Sequence, residues 1–449
     1  MHTAVCDILQ QRFGKSMYLE QRMDEYYIEG GFPVKGTVKA SGNKNAALPC
    51  IAAAVLTDKP VTLKNLPEIE DVAVMFDIFK SFGGTVTKRA QNEYTLQLKE
   101  VTGCEIPPLL SQKIRASILF AGPLLARYGK VSMPPPGGDV IGRRRLDTHF
   151  LALTELGAQV KINGHFVFTA NKLIGQDIFL DEASVTATEN AVMAAVTAEG
   201  TTIITNAASE PHVQDLCKLL IAMGAQISGI GSNILTIEGV KELHGAEYRI
   251  VADYMEVGSF IGLAAVTHGS LTITDINPPD MRPIKLAFNK LGIRWDIDGT
   301  NLTVPAQQSL KVNSDLGGMI PKIDDSPWPG FPADLTSIMS VIATQVEGTV
   351  LIHEKMFESR MFFVDKLIAM GARITLCDPH RAVVSGPSIL HGSELVSPDV
   401  RAGMALVIAA CCARGESLIR NVYQIERGYE RLVERFRALG VQIERRSMH

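Results

Sequence analysis

The sequence predicts an α/β protein of two domains, each built from three copies of one strand–helix–strand unit. Three observations carry that expectation. A glycine phrase recurs six times, an alternating strand precedes each copy, and amphipathic stretches join the two.

The glycine phrase is an apolar residue, Gly, one or two spacers and a β-branched residue. It reads FGGTV (82–86), LGAQV (156–160), MGAQI (223–227), LGIRW (291–295), MGARI (370–374) and LGVQI (439–443), with Trp295 in the β-branched slot of the fourth copy. The leading glycines, at 83, 157, 224, 292, 371 and 440, recur about every seventy residues, longer than a solenoid repeat. Glycine just past the last apolar residue of a helix is the expected stop, because it alone enters the left-handed region without strain.

The partner phrases are KPVTLKN, GKVSMP, GTTIITN, GSLTITD, GTVLIHE and GESLIRN. Period-two alternation after Gly or Pro is a strand signal. Between the phrases lie runs such as VQDLCKLLIAMGA and YERLVERFRALG, with apolar residues three and four apart, which predict helices. An LGA phrase recurs by chance in many chains, but six copies in register with six partner strands do not.

Bulk composition bounds the function. A chain of 449 residues is too long for one ordinary core. Apolar residues make up 46% and charged residues 20%, the balance of a soluble globular protein. A net charge of −4 gives no global field for nucleic acid or anionic membrane, so an anion site must be a local cluster of Arg and Lys. Seven cysteines without CxxC spacing or histidines at zinc spacing argue against a disulfide framework or structural metal, and fit a reducing cytosol. Apolar runs fall short of the ~20 residues that span a bilayer. Residues 1–23 carry acids and glutamines but no apolar signal core, and read as an extra helix or frayed arm. Oligomeric state leaves no trace in the sequence.

Several stretches concentrate chemistry. In KASGNKNAALPCIAAAVL (39–56), Ser and Asn suit a helix cap, and Lys44 adds a charge where helix N-termini attract anions; alone, Lys44 reads equally as a solvated lysine. QKIRASILFAGPLLARYG (112–129) reads as an apolar helix interrupted by Arg115, which either snorkels or faces a site. PPPGGDVIGRRRLDTHF (134–150) sets one acid, Asp139, in a stiff-then-flexible loop beside Arg143, Arg144 and Arg145. Pro stiffens one side and Gly137–Gly138 frees the tip, as a lid needs, while guanidinium groups match phosphate geometry. A basic surface turn is the plainer reading.

Further along, DEASVTATEN (181–190) offers Ser184 to Thr186 as phosphate donors or as a strand end and turn. PWPGFPADLTS (327–337) ends in Asp334, a general base on a loop or simply a helix N-cap. MFESRMFFV, SPDVRAG and YQIERGYER each place one arginine, Arg360, Arg401 and Arg427, at a turn-to-helix entry. One such arginine is usually an ion-pair partner. Three at comparable positions in successive units point to one shared anion.

In order and spacing, SGNKNAALP, RASILFAGPLLARYG, PGGDVIGRRRLDTH, FPADL, FESRM and IERGYERL resemble the UDP-N-acetylglucosamine enolpyruvyl transferases, from YYIEGG (26–31) to ALGVQIER (438–445). The resemblance implies an inside-out α/β barrel in two domains, helices within and sheets outside. It implies one domain over 44–252 and another over 24–43 plus 253–449, closing on substrate.

The implied reaction moves the enolpyruvyl group of phosphoenolpyruvate onto the sugar 3-hydroxyl of UDP-N-acetylglucosamine, by addition then elimination of phosphate, with no cofactor or metal. By the same resemblance Lys44, Arg144 and Arg427 hold the phosphate of phosphoenolpyruvate, and Arg360 and Arg401 its carboxylate. Asn45 and Arg115 lie between the substrates. Arg144, Arg145, Leu146, Asp147 and Thr148, with Ala183, Ser184, Val185 and Thr186, match nucleotide-sugar segments, and Met356 a nucleotide contact. Asp334 matches the base at the 3-hydroxyl and Asp139 the lid acid.

Three positions depart from the family's usual pattern. Its common lid residue is cysteine, where this chain has Asp139, and fosfomycin acts by alkylating that thiolate; insensitivity is therefore expected. Ala183 stands where many members have lysine, leaving Arg143 or Arg145 to supply the charge. MPPPGG is richer in proline than the usual lid, so closure is expected to be stiffer. Arginines beside Asp139 lower its pKa below the ~3.9 of a free Asp. An acid role then requires the substrates' anions to neutralise them.

Other readings have their own discriminators. The sister family making enolpyruvylshikimate phosphate shares fold and chemistry, but the GGD lid and RRRLDTH favour a nucleotide sugar. Ala183 keeps open another uridine nucleotide as acceptor. A catalytically silent regulatory paralogue is disfavoured by the intact Lys44, Asp139, Asp334 and arginines. RNA 3′-phosphate cyclases use related repeats, yet the charge of −4 and 6% aromatics speak against nucleic acid.

Overall fold

The computed structural model describes residues 24–138 and 145–447. The expected N-terminal arm, 1–23, and the lid positions Asp139, Arg143 and Arg144 lie outside the described residues.

Each of the six alternating phrases forms a strand: Val61–Lys64, Lys130–Met133, Thr201–Thr205, Ser270–Thr274, Gly348–His353 and Glu416–Arg420. Each leads its own sheet, and the described strands make six sheets in all. The six phrase glycines all take positive φ, between +77° and +104°. A side chain there would be strained, which is why the phrase keeps glycine.

The unit is richer than strand–helix–strand. In the first sheet Val61–Lys64 pairs antiparallel with Glu93–Gln97, which folds back on Thr85–Ala90, and pairs parallel with Ala246–Arg249. Four other sheets also have a parallel neighbour beside the leading strand. The second retains only the parallel bridge Glu105↔Ser132. In the fourth unit the strand starts at Asp296, one residue after Trp295. Trp295 is instead buried, its ring edge-on to Phe288 at 5.7 Å, because an indole is worth more in the core than on an exposed strand.

A second set of helices fills the interior. Tyr254–Val266 and Thr336–Thr344 are buried along their whole length, and Val400–Cys412 nearly so. They pack on one another in one half of the molecule; Lys44–Ala53, Ala121–Tyr128 and Val185–Ala195 lie in the interior of the other. A helix apolar on every side belongs inside, with its sheets outside. Close approach is enforced at Gly258 and Gly262, where a Cβ would stand 2.8 Å from Leu335 and Ile338.

The buried apolar residues form two clusters. One runs from Ala46 to Ile250; the other joins Tyr26–Ala40 to Ala252–Ile443. Strand Asp24–Glu29 completes the sixth sheet, between Glu416–Arg420 and Gln442–Ser447, so the start of the described chain packs with its end. The chain passes between the halves at Gly42 and Ala252, which pair as an antiparallel bridge.

Candidate active site

Between the halves lies a cavity of about 1320 Å³, mouth included. Both halves line it. Of the sequence-predicted residues, Lys44, Asn45, Arg115, Val185, Thr186, Asp334, Met356, Arg360, Arg401 and Arg427 reach it.

Lys44 is the first residue of helix Lys44–Ala53, whose cap Asn43 accepts from the Ala46 amide at 3.2 Å. Its ammonium lies 2.5 Å from Asp71 Oδ2. Arg427 donates through Nε to Asp71 Oδ1 at 2.8 Å, from the opposite half. Arg427 closes the short helix Tyr423–Glu426 rather than entering one, which corrects the turn-to-helix placement; GYER allows the chain to turn there instead. Burial pushes the Asp71 carboxyl up, but Lys44 and Arg427 outweigh it and hold it below its usual range.

Arg115 does not interrupt a long helix. It opens a 3-10 segment, Arg115–Phe120, that runs into helix Ala121–Tyr128. Its Nη2 donates to the Arg145 carbonyl at 2.8 Å. Gly138 packs on it so closely that a Cβ would meet Arg115 Cβ at 2.9 Å.

Asp334 is not a helix cap. Helix Thr336–Thr344 starts without a side-chain cap, and Asp334 sits in the 3-10 turn before it. Its Oδ1 accepts from Arg360 Nη2 and its Oδ2 from Arg401 Nε, each at 2.9 Å. Both arginines are buried. Arg401 is fixed at the start of helix Val400–Cys412, where Asp399 caps its amide at 2.8 Å and Tyr429 Oη accepts from Nη1 at 3.2 Å. Arg360 lies over the Phe357 ring at 4.8 Å. Burial would raise the Asp334 pKa, yet Arg401 and Arg360 overcome it and drive the carboxyl far below its usual range.

The two segments expected to meet a nucleotide sugar are joined through one acid. Asp181 accepts from Thr148 Oγ1 at 2.7 Å and from Arg145 Nη2 at 3.4 Å, while Arg145 also pairs with Asp147 at 2.8 Å. Ser184 heads helix Val185–Ala195, so Ser184 to Thr186 form a helix N-terminus rather than a strand end. Buried His149 joins the segments, with Nε2 3.1 Å from Thr186 Oγ1 and Nδ1 2.9 Å from Asn190 Nδ2. Arg145, Leu146, Asp147, Thr148, Ala183 and Ser184 stand outside the cavity wall itself. Met356 is placed by Asp325, which accepts from its amide at 3.2 Å.

Sequence reasoning missed Asp71, Glu189, Glu210, His212 and Tyr254, all lining the cavity. An acid early in a helix such as Glu70–Ser81 reads as ordinary dipole complement, so Asp71 gave no distinct signal. Burial raises both glutamates and lowers His212 to about 4. Burial thus disfavours charge on all three of these groups.

The fold is that of an enolpyruvyl transferase. The solved structure of the enolpyruvyl transferase NikO from Streptomyces tendae matches with a TM-score of 0.84 at 25% identity, over 95% of this chain and 99% of that one. The chain belongs to the EPSP synthase (3-phosphoshikimate 1-carboxyvinyltransferase) family, whose model matches residues 28–436. It is 75% identical over 422 residues to the UDP-N-acetylglucosamine 1-carboxyvinyltransferase of Treponema denticola, covering 94% of this chain and 99% of that relative. The enzyme of the same name from Treponema pallidum is 71% identical over 421 residues, with the same coverage.

Proposed function

We propose that the chain transfers the enolpyruvyl group of phosphoenolpyruvate to the 3-hydroxyl of UDP-N-acetylglucosamine and releases phosphate. That is the first committed step of peptidoglycan synthesis, carried out in the cytoplasm; no described helix is long and apolar enough to cross a membrane. One observation supports it above all: Lys44, Arg360, Arg401 and Arg427 converge on one cavity that also holds Asp334.

Lys44 and Arg427, with Arg144 from the lid, take the phosphate; Arg360 and Arg401 take the carboxylate. Guanidinium forks suit a planar carboxylate, and an ammonium suits a phosphate oxygen. Asn45 and Arg115 lie between the substrates. The nucleotide sugar runs along Arg144–Thr148 and Ala183–Thr186 toward Met356. Halves 44–252 and 24–43 plus 253–449 close as two bodies around both ligands.

Asp139 protonates the methylene carbon of the enol, making its neighbour electrophilic. The sugar oxygen attacks that carbon as Asp334 removes its proton. The Asp139 carboxylate then takes back a methyl proton, the C–H electron pair restores the double bond, and phosphate leaves with the electrons of its bond to carbon. Fixed cations stabilise the anionic intermediate in a closed, dry site. Bound phosphate and diphosphate neutralise the lid arginines, and closure desolvates Asp139, so its pKa rises only in the ternary complex. A carboxylate at 139 is a poorer nucleophile than a thiolate toward an epoxide, so the enzyme is insensitive to fosfomycin.

The test is phosphate release from phosphoenolpyruvate by the purified protein, with UDP-N-acetylglucosamine, with shikimate 3-phosphate and with neither. Release only with the nucleotide sugar is expected. Release only with shikimate 3-phosphate, or none, overturns the reading.

A further inference from the structure

We propose that the Arg360–Arg401 pair serves two carboxylates in turn: Asp334, which it holds in this structure, and the carboxylate of phosphoenolpyruvate, which displaces Asp334 and thereby frees it to act as base. The proposal rests on the functional reading above and deepens it, because that reading assigns the same two arginines and the same aspartate to different tasks.

The geometry poses the conflict. Each Asp334 oxygen accepts one guanidinium hydrogen bond at 2.9 Å, Oδ1 from Arg360 and Oδ2 from Arg401. This is the two-pronged grip that a substrate carboxylate would need. A carboxylate held by two buried cations has little affinity for a proton, so in this arrangement it cannot take one from a sugar hydroxyl.

Neighbouring acids do not relieve it. Glu354 Oε2 lies 3.7 Å from Arg360 Nε, but burial pushes that carboxyl up to about 8, so it is largely neutral at pH 7. Asp399 commits Oδ1 to the amides of Arg401 and Ala402. The charges of Asp399 and Asp253 also act on the pair, but Asp334 is the carboxylate that bridges both guanidinium groups, and another anion taking its place keeps that bridge filled.

Both arginines line the cavity, so a substrate carboxylate entering it meets the pair that holds Asp334. Once released, Asp334 faces Lys44, His212 and Tyr254 in the same cavity. His212 and Tyr254 are uncharged at neutral pH, and Lys44 is already paired with Asp71. Burial then favours proton uptake by Asp334. The 3-oxygen–hydrogen bond breaks, the proton goes to an Asp334 oxygen, and the oxygen's electron pair forms the new bond to carbon.

Asp334→Asn keeps the shape and removes the competing charge. Calorimetric titration of this variant and the wild type should use phosphoenolpyruvate and, separately, inorganic phosphate, both without nucleotide sugar. Displacement predicts that the variant binds phosphoenolpyruvate about tenfold more tightly than wild type, and phosphate within about threefold. Equal tightening of both ligands would mean a general field effect and overturn the proposal, as would unchanged or weaker phosphoenolpyruvate binding. A crystal structure of the wild-type protein with phosphoenolpyruvate needs no variant. Asp334 should there stand beyond hydrogen-bond reach of both arginines; Asp334 still bridging them sinks the exchange. If phosphate release with UDP-N-acetylglucosamine is intact, either failure strikes the exchange and leaves the reaction standing.

Discussion

Asp71 in one half of the molecule accepts a hydrogen bond at 2.8 Å from Nε of Arg427 in the other. The same carboxylate holds Lys44 at 2.5 Å, so one buried acid collects the two cations proposed for the phosphate and ties the halves across the cavity. Its side chain is 3% exposed, which keeps solvent from screening the pair.

Asp71→Asn removes the carboxylate that Lys44 and Arg427 share. Breaking such a pair costs about 3–5 kcal/mol. A loss of unfolding free energy of that size, read from urea unfolding, is expected, and millimolar phosphate should recover more stability in the variant than in wild type. The pH sign follows from the depressed carboxyl. Its stabilisation is present above the unfolded value of ~3.9 and is lost as pH falls through the lower folded value, so the variant should lose less on acidification. A variant as stable as wild type without phosphate would contradict the argument.

His149 and His212 set a second pH dependence. Burial, aided at His149 by Arg115, lowers them to about 3 and about 4. The unfolded chain protonates each near ~6.5, so below that pH it binds more protons than the folded chain. Stability therefore falls as pH drops from about 6.5 toward about 4, by roughly 1.4 kcal/mol per pH unit for each histidine. His149→Gln should about halve that slope, read from urea unfolding at pH 7 and pH 5. An unchanged slope rules out His149 as a source.

How much of this was legible in the sequence depends on whether the signal is local. Gly83 and its five counterparts stop helices through backbone conformation alone, so their spacing exposed the six units. The inner helix Tyr254–Val266 is apolar on every side, has no face to betray a period, and so was not read as part of a unit. Lys44 was legible beside a helix cap, and Arg360 and Arg401 at comparable turn-to-helix entries of successive units, because each position is marked by local pattern. Asp71 and His212 were not, because an acid or histidine in a helix's first turn is ordinary until long-range packing buries it. The pairing of Asp334 with both arginines joins residues 26 and 67 positions away, which no local pattern encodes.

Asp139 bears on inhibition. Fosfomycin with saturating UDP-N-acetylglucosamine should leave wild-type activity undiminished over time, and Asp139→Cys should gain time-dependent inactivation with a covalent adduct. Asp139→Asn, which cannot supply a proton, should lose most turnover while still binding nucleotide sugar. An adduct on Asp139 itself, or full activity in the Asn variant, contradicts the assigned role.

Arg360→Lys separates charge from shape at the carboxylate end. Lysine keeps the positive charge but loses the planar fork that reaches Asp334 and stacks on Phe357. Arg401 remains capped by Asp399 and bonded to Tyr429, so half of the grip survives. The expected result is a drop of about 100-fold in kcat/KM for phosphoenolpyruvate. KM for UDP-N-acetylglucosamine should change by less than about threefold, since Arg360 is assigned to the other substrate. Inhibition by inorganic phosphate should also stay within about threefold of wild type, because that anion is assigned to Lys44 and Arg427. If phosphate inhibition weakens as much as kcat/KM falls, the two ends of the anion site are not separate and Arg360 does not read the carboxylate.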